Sequence, residues 1–151
     1  MKKIMKIIKL ISVTAIVLIQ CTHVLCQTSL KEFPVLKGPY LGQTPPGITP
    51  EVFAPGILST GLYTRDIAIS KDGKEIYFCI SDPAATAIFV TKLEDDKWTE
   101  PVIAPFSGKG VFDFEPHISP DGKKFFFLSG RPPLGKEPKA GCFYQKIWMM
   151  N

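Results

Sequence analysis

Beyond residue 26 this chain has little that could carry chemistry: two cysteines (Cys79 and Cys142), a single histidine (His117), and no excess of either charge. The 151 residues hold 18 Lys+Arg against 14 Asp+Glu, but Lys2, Lys3, Lys6 and Lys9 fall in the first 26 with no acid among them. The remainder balances at 14 against 14, which leaves no electrostatic footprint for nucleic acid or an anionic membrane surface. Two cysteines 63 positions apart make no disulfide framework. In an oxidising compartment they could form one bridge, but two small buried apolar side chains is the simpler expectation. Cys79, Cys142 and His117 also lack the paired spacing of a zinc site, so no metal and no cofactor is expected. Missing too are a Gly-x-Ser-x-Gly elbow, a glycine-rich phosphate loop and a His-Glu-x-x-His helix. Nothing places a nucleophile beside His117, so no catalytic residue is assigned.

Glycine and proline are absent from residues 1–26 but make up 26 of the remaining 125, which excludes a helical domain there. Residues 1–26 read as a signal peptide: four lysines, an apolar run over 10–19, then a more polar stretch. The run is about ten residues, against the roughly 20 needed to span a bilayer, so no membrane span is expected. Cleavage after Cys26 would place Val24 and Cys26 at the small-residue positions and predicts a periplasmic or secreted protein. The alternative is a lipoprotein anchored at Cys21 in Leu18-Ile-Gln-Cys21, where Gln20 is bulky for that signal. Residues 27–48 read as an extended lead.

What the sequence does contain is a repeat. Asp66-Ile-Ala-Ile-Ser-Lys-Asp-Gly-Lys-Glu-Ile-Tyr-Phe-Cys-Ile-Ser81 lies over Glu115-Pro-His-Ile-Ser-Pro-Asp-Gly-Lys-Lys-Phe-Phe-Phe-Leu-Ser-Gly130 at an offset of 49. Thr49-Pro-Glu-Val-Phe-Ala-Pro55 lies over Thr99-Glu-Pro-Val-Ile-Ala-Pro105 at an offset of 50. Each unit reads as β-structure. Asp72-Gly73 and Asp121-Gly122 are turn dipeptides, with strands expected over 67–70 and 75–81, then over 117–119 and 124–129. Third strands are expected at 87–92 and 145–150, and a fourth around 98–104. The Asp72 and Asp121 side chains are expected to cap the turns. Four short antiparallel strands per repeat of about 50 residues describe a propeller blade. A β-sandwich is the alternative, but it gives no reason for the period.

Ser119-Pro-Asp-Gly-Lys-Lys-Phe-Phe-Phe-Leu-Ser-Gly-Arg131, with Phe114-Glu-Pro-His before it and Lys146-Ile-Trp after, resembles the WD40-like PD40 repeat of TolB-type β-propellers. The copy at 65–78 is similar, with Lys71 where the family has proline, and Trp98 matches the family's outer-strand tryptophan. The resemblance covers about 49–151 and implies an all-β, partial β-propeller: an outer closing strand at 49–57, one blade over about 62–105 and a partial blade over about 113–150. A propeller usually needs about 4–8 blades, so the ring is expected to be incomplete, a fragment with exposed blade edges open to self-association. The resemblance also places Arg65, Asp66, Asp113, Glu115 and His117 on the channel rim, as candidates for binding a polar ligand. The plainer reading is solvated rim charge. Arg131 is expected to tie a neighbouring loop, and the long loop 132–141 to be exposed. The resemblance is compatible with two functions: an exported non-catalytic binding or scaffold module for protein, peptide or glycan in the cell envelope, or the N-terminal part of a propeller-containing hydrolase whose catalytic residues lie elsewhere.

Overall fold

The structure, a computed structural model, describes residues 32–83, 85–137 and 144–151. The signal-peptide reading of 1–26, Cys21, Cys26 and Cys142 fall outside them. Of a first unit spanning Met1–Pro34, residues 32–34 are described, as irregular chain. The second unit, Val35–Asn151, holds strands in antiparallel sheets and one short 3-10 turn, Pro39–Gly42.

The Ser-x-Asp-Gly turns set the pattern. In each, glycine takes a left-handed conformation (Gly73 φ 71°, Gly122 φ 76°) and its N–H bonds the serine carbonyl at 2.8 Å. The serine hydroxyl donates to the aspartate at 2.6 Å in both copies. That aspartate also accepts a backbone N–H two residues on, from Lys74 and Lys123, at 3.1 Å. Both carboxyls are held below the usual carboxylate range, first by the serine hydroxyl and then by these backbone donors.

From these turns grow two sheets. In the first, β1 (Tyr63–Ile69), β2 (Glu75–Ser81), β3 (Thr86–Glu94) and β4 (Lys97–Trp98) pair in that order, and β5 (Val102–Ile103) also pairs with β3. β3 and β4 join through Asp95 and Asp96, both left-handed, as a two-residue hairpin requires. The outer run expected around 98–104 is split in two: Pro101 has no N–H for the ladder, and Thr99 bonds Lys92 and Thr91 between the pieces. The second sheet is β6 (Asp113–Ile118), β7 (Phe125–Ser129) and β8 (Lys146–Met150), in that order.

One expected strand does not form. Residues 49–57 make no ladder, only an isolated bridge from Pro55 to Ser59 and a turn on the Ala54 carbonyl. Among the described residues no neighbouring strand lies beside them to pair with. The lead is not simply extended either, since Tyr40 and Leu41 take left-handed conformations in the 3-10 turn. It is fastened to the first sheet by Trp98, whose backbone N–H bonds Leu36 O at 3.0 Å and whose indole N–H bonds Gly38 O at 2.7 Å.

Strand alternation sorts β2 into two cores. Ile76 and Phe78, each 1% exposed, meet Leu41, Ala54, Leu58 and Trp98 on one side. On the other, Tyr77 and Cys79 meet Phe106 and the second sheet's Phe125 and Phe127. Tyr77 and Phe106 both set their rings edge-on to Phe125, with centroids 4.7 and 5.2 Å away. Burying Ile76 and Phe78 contributes about 1.5–3 kcal/mol each.

Candidate functional site

β1 and β6 each break register once, between Arg65 and Ile67 and between Phe114 and His117. The residues at these bulges, Asp66 and Glu115, lie 49 positions apart and both adopt positive φ, 53° and 57°. Left-handed backbone costs a side-chain-bearing residue about 1–2 kcal/mol, and glycine is its usual occupant. Here two carboxylates hold it instead, at equivalent places on adjacent strands. A bulge also rotates the residues beyond it: along β6 the buried positions are Asp113 and Pro116, three apart rather than two.

Arg65 joins the two carboxylates. Its Nε donates to Asp66 Oδ2 at 2.7 Å and its Nη2 to Glu115 Oε1 at 3.4 Å, with the guanidinium 5.9 Å from the centre of the Phe114 ring. The hydrogen bond and charge of Asp66 push the arginine pKa up. The Arg65 side chain is 42% exposed and that of Glu115 49%, so donor and acceptor capacity remains for an outside partner. Cys79, opposite Arg65 on β2, is fully buried, and burial pushes its thiol up to about 12. It remains a neutral thiol at physiological pH rather than a nucleophile.

Of the five candidates, Arg65, Asp66 and Glu115 converge, and the other two do not join them. Asp113 is a correction: its side chain is fully buried, with Arg131 Nη2 at 2.9 and 3.0 Å and the Ser107 hydroxyl at 3.0 Å, so no ligand can reach it. Ser107 in turn accepts the Ile88 N–H at 2.9 Å, and Arg131 reaches Phe106 O at 2.9 Å and Ser129 Oγ at 2.8 Å. Arg131 is thus the expected tie to a neighbouring loop. In the first sheet Thr64, 49 residues earlier than Asp113, makes the simpler equivalent bond to Leu58 O at 2.9 Å. His117 is exposed, its ring 6.3 Å from Phe126, in a shallow groove of about 400 Å³ that Glu115, Leu128 and Ile147 also line.

Sequence reasoning missed Ser107 and a wider cleft of about 680 Å³ bordered by the two Ser-x-Asp-Gly turns. The turns approach closely, a Cβ on Gly122 falling 3.5 Å from that of Lys71. The repeated turn was visible in sequence; that two copies would touch depended on sheet packing. Among the described residues no cluster of three or more His, Cys, Asp or Glu could hold a metal ion, and no helix is long and apolar enough to cross a membrane.

No protein-family model, curated protein or solved structure matches the chain.

Proposed function

We propose that this chain is an exported, non-catalytic β-propeller module of the cell envelope, whose two sheets are adjoining blades and whose inner-strand rim binds a protein, peptide or glycan. The observation that carries the reading is the pair of carboxylates kept on strained bulges at equivalent positions of two repeats, bridged by one partly exposed arginine. Strain present twice at the same place, on groups that share one partly exposed arginine, argues for use rather than accident. A guanidinium between two carboxylates suits ligands that both donate and accept, such as peptide backbones and sugar hydroxyls. The antiparallel order of three strands shared by both sheets, the outer run of the first split into β4 and β5, and the 49-residue period support the blade assignment, and the resemblance to TolB-type repeats adds to it. The leader supports export.

The test is binding to immobilised panels of peptides and oligosaccharides, comparing the natural chain with Arg65→Ala and Glu115→Gln. Both residues are exposed enough for the variants to fold. A panel member that holds the natural chain should hold Arg65→Ala at least about tenfold more weakly, equivalent to about 1.4 kcal/mol. Equal retention of the variants, or hydrolysis of chromogenic ester, peptide or glycoside substrates by the natural chain, would count against it.

A further inference from the structure

Among the described residues nothing covers one face and one edge of the second sheet, and the chain contains an internal example of what covers such surfaces. Phe78 pairs with Phe89 and Phe127 with Trp148, so the 49-residue shift that matches β7 to β2 also brings β8 into the place of β3. Leu128, Ile147 and Met149 then take the places of Cys79, Ile88 and Val90. The second sheet covers those three, which are 0, 0 and 3% exposed, whereas Ile147 and Met149 stand 78% and 59% exposed. The edges differ in the same way. On β3, Val102 lies opposite Val90, Ile103 opposite Phe89, and the Ala104 N–H bonds Ile88 O at 2.8 Å. Among the described residues β8 has no strand on that side.

The complementary piece lies 50 residues before β5. Val52-Phe-Ala54 repeats Val102-Ile-Ala104 but, among the described residues, has no strand beside it. The Gln43 carboxamide occupies it instead, donating to Val52 O at 3.0 Å and accepting from the Ala54 N–H at 2.6 Å. A carboxamide carries the same donor and acceptor as one peptide group, so Gln43 stands where a neighbouring strand's backbone would. Phe53, Ala54 and Leu58 pack on the face of the first sheet opposite the one the second sheet covers. Residues 52–54 and the open edge of β8 therefore lie at opposite ends of the stack.

We infer that a second copy of this chain supplies the missing partner. Residues 52–54 of one copy pair as the fourth strand on β8 of the next, Val52 opposite Met149 and Phe53 opposite Trp148. The Ala54 N–H donates to Ile147 O, and Gln43 is displaced. The inference rests on the blade reading above. A head-to-tail contact of this kind closes into a ring when its rotation allows. The Arg65–Asp66–Glu115 clusters of all copies then line one channel.

The experiment uses the protein produced with its own leader and purified as the host processes it. Light scattering on a sizing column at micromolar and higher concentrations should give a closed assembly of more than one copy, whose mass does not grow with concentration. Ile147→Lys with Met149→Lys, both exposed in the single chain, should leave circular dichroism unchanged and reduce the mass to one copy. Val52→Cys with Met149→Cys should form an intermolecular disulfide that peptide mapping locates between positions 52 and 149. Val52→Cys with Lys146→Cys, out of register, should not. A monomer at every concentration, an assembly indifferent to the two lysines, or cross-links without register preference overturns the inference. A natural monomer whose panel binding still depends on Arg65 overturns the assembly and leaves the binding-module reading intact. Loss of that binding dependence in an intact ring does the reverse.

Discussion

Arg131→Ala should be among the most damaging single changes in this molecule. The Asp113 side chain is fully buried, and the arginine supplies its ionic partner at 2.9 Å. Removing that partner leaves a carboxylate in the interior with the Ser107 hydroxyl as its remaining side-chain donor among the described residues. Breaking a buried pair from one side costs about 3–5 kcal/mol. The Arg131 side chain is 25% exposed, so water can partly replace it and the lower end applies. Added to this are the lost bond to Phe106 O and the stacking on Phe127 and Trp148, 5.0 and 5.5 Å from the guanidinium carbon. The expected loss is about 3–4 kcal/mol, a large share of the roughly 5–15 kcal/mol that holds a domain folded. At about 4 °C per kcal/mol it lowers the melting temperature by about 12–16 °C. Urea unfolding followed by tryptophan fluorescence reads both sheets, because Trp98 sits in the first and Trp148 in the second. The decisive comparison is Arg131→Ala on an Asp113→Asn background, where no buried charge is stranded and the penalty should fall to about 1 kcal/mol. A loss below about 1 kcal/mol in the natural background, or equal losses in both, would refute the electrostatic account.

Glu115→Gly should raise stability by up to about 1 kcal/mol in thermal melts while removing Arg65's second partner, since glycine takes φ 57° without steric cost; a clear loss would mean the bulge is not strained. Trp148→Phe, which installs the residue found at the equivalent position 89, should be neutral or stabilising by about 1 kcal/mol in chemical denaturation, because the buried indole N–H has no acceptor among the described residues. The depressed carboxyls of Asp72 and Asp121 make the folded chain bind protons less readily than the unfolded one. Their contribution is therefore present above pH about 4 and drains as the pH falls through the folded values. Asp72→Asn with Asp121→Asn should flatten the acid limb of a stability–pH curve, and an unchanged limb would contradict the bonding seen in both turns.

Much of the fold was legible because the information was local. Serine, aspartate and glycine at fixed spacing specify a turn by their own bonds, and runs such as Glu75–Ser81 pair where their apolar residues begin and end. What escaped depended on neighbours. Asp113 and Glu115 are two residues apart on one strand, and simple alternation puts them on the same face. The bulge intervenes, so one is sealed against Arg131 while the other meets Arg65. Likewise 49–55 matches 99–105 at four of seven positions, yet of the two only the latter has β3 beside it among the described residues. A sequence repeat conveys capacity to pair, and the surroundings decide whether it is used.

The double-sided packing of β2 bears on how the molecule comes apart. A strand whose alternate residues serve two cores is a shared wall, so neither core can open without disturbing the other. Stability in such an array is transmitted between nearest neighbours, with the terminal element held from one side alone. Amide hydrogen exchange should record this as a gradient across the stack, slowest in β2 and β3 and fastest in β8, whose outward residues Ile147 and Met149 face solvent. A ligand or subunit that capped β8 would then slow exchange in strands it never touches.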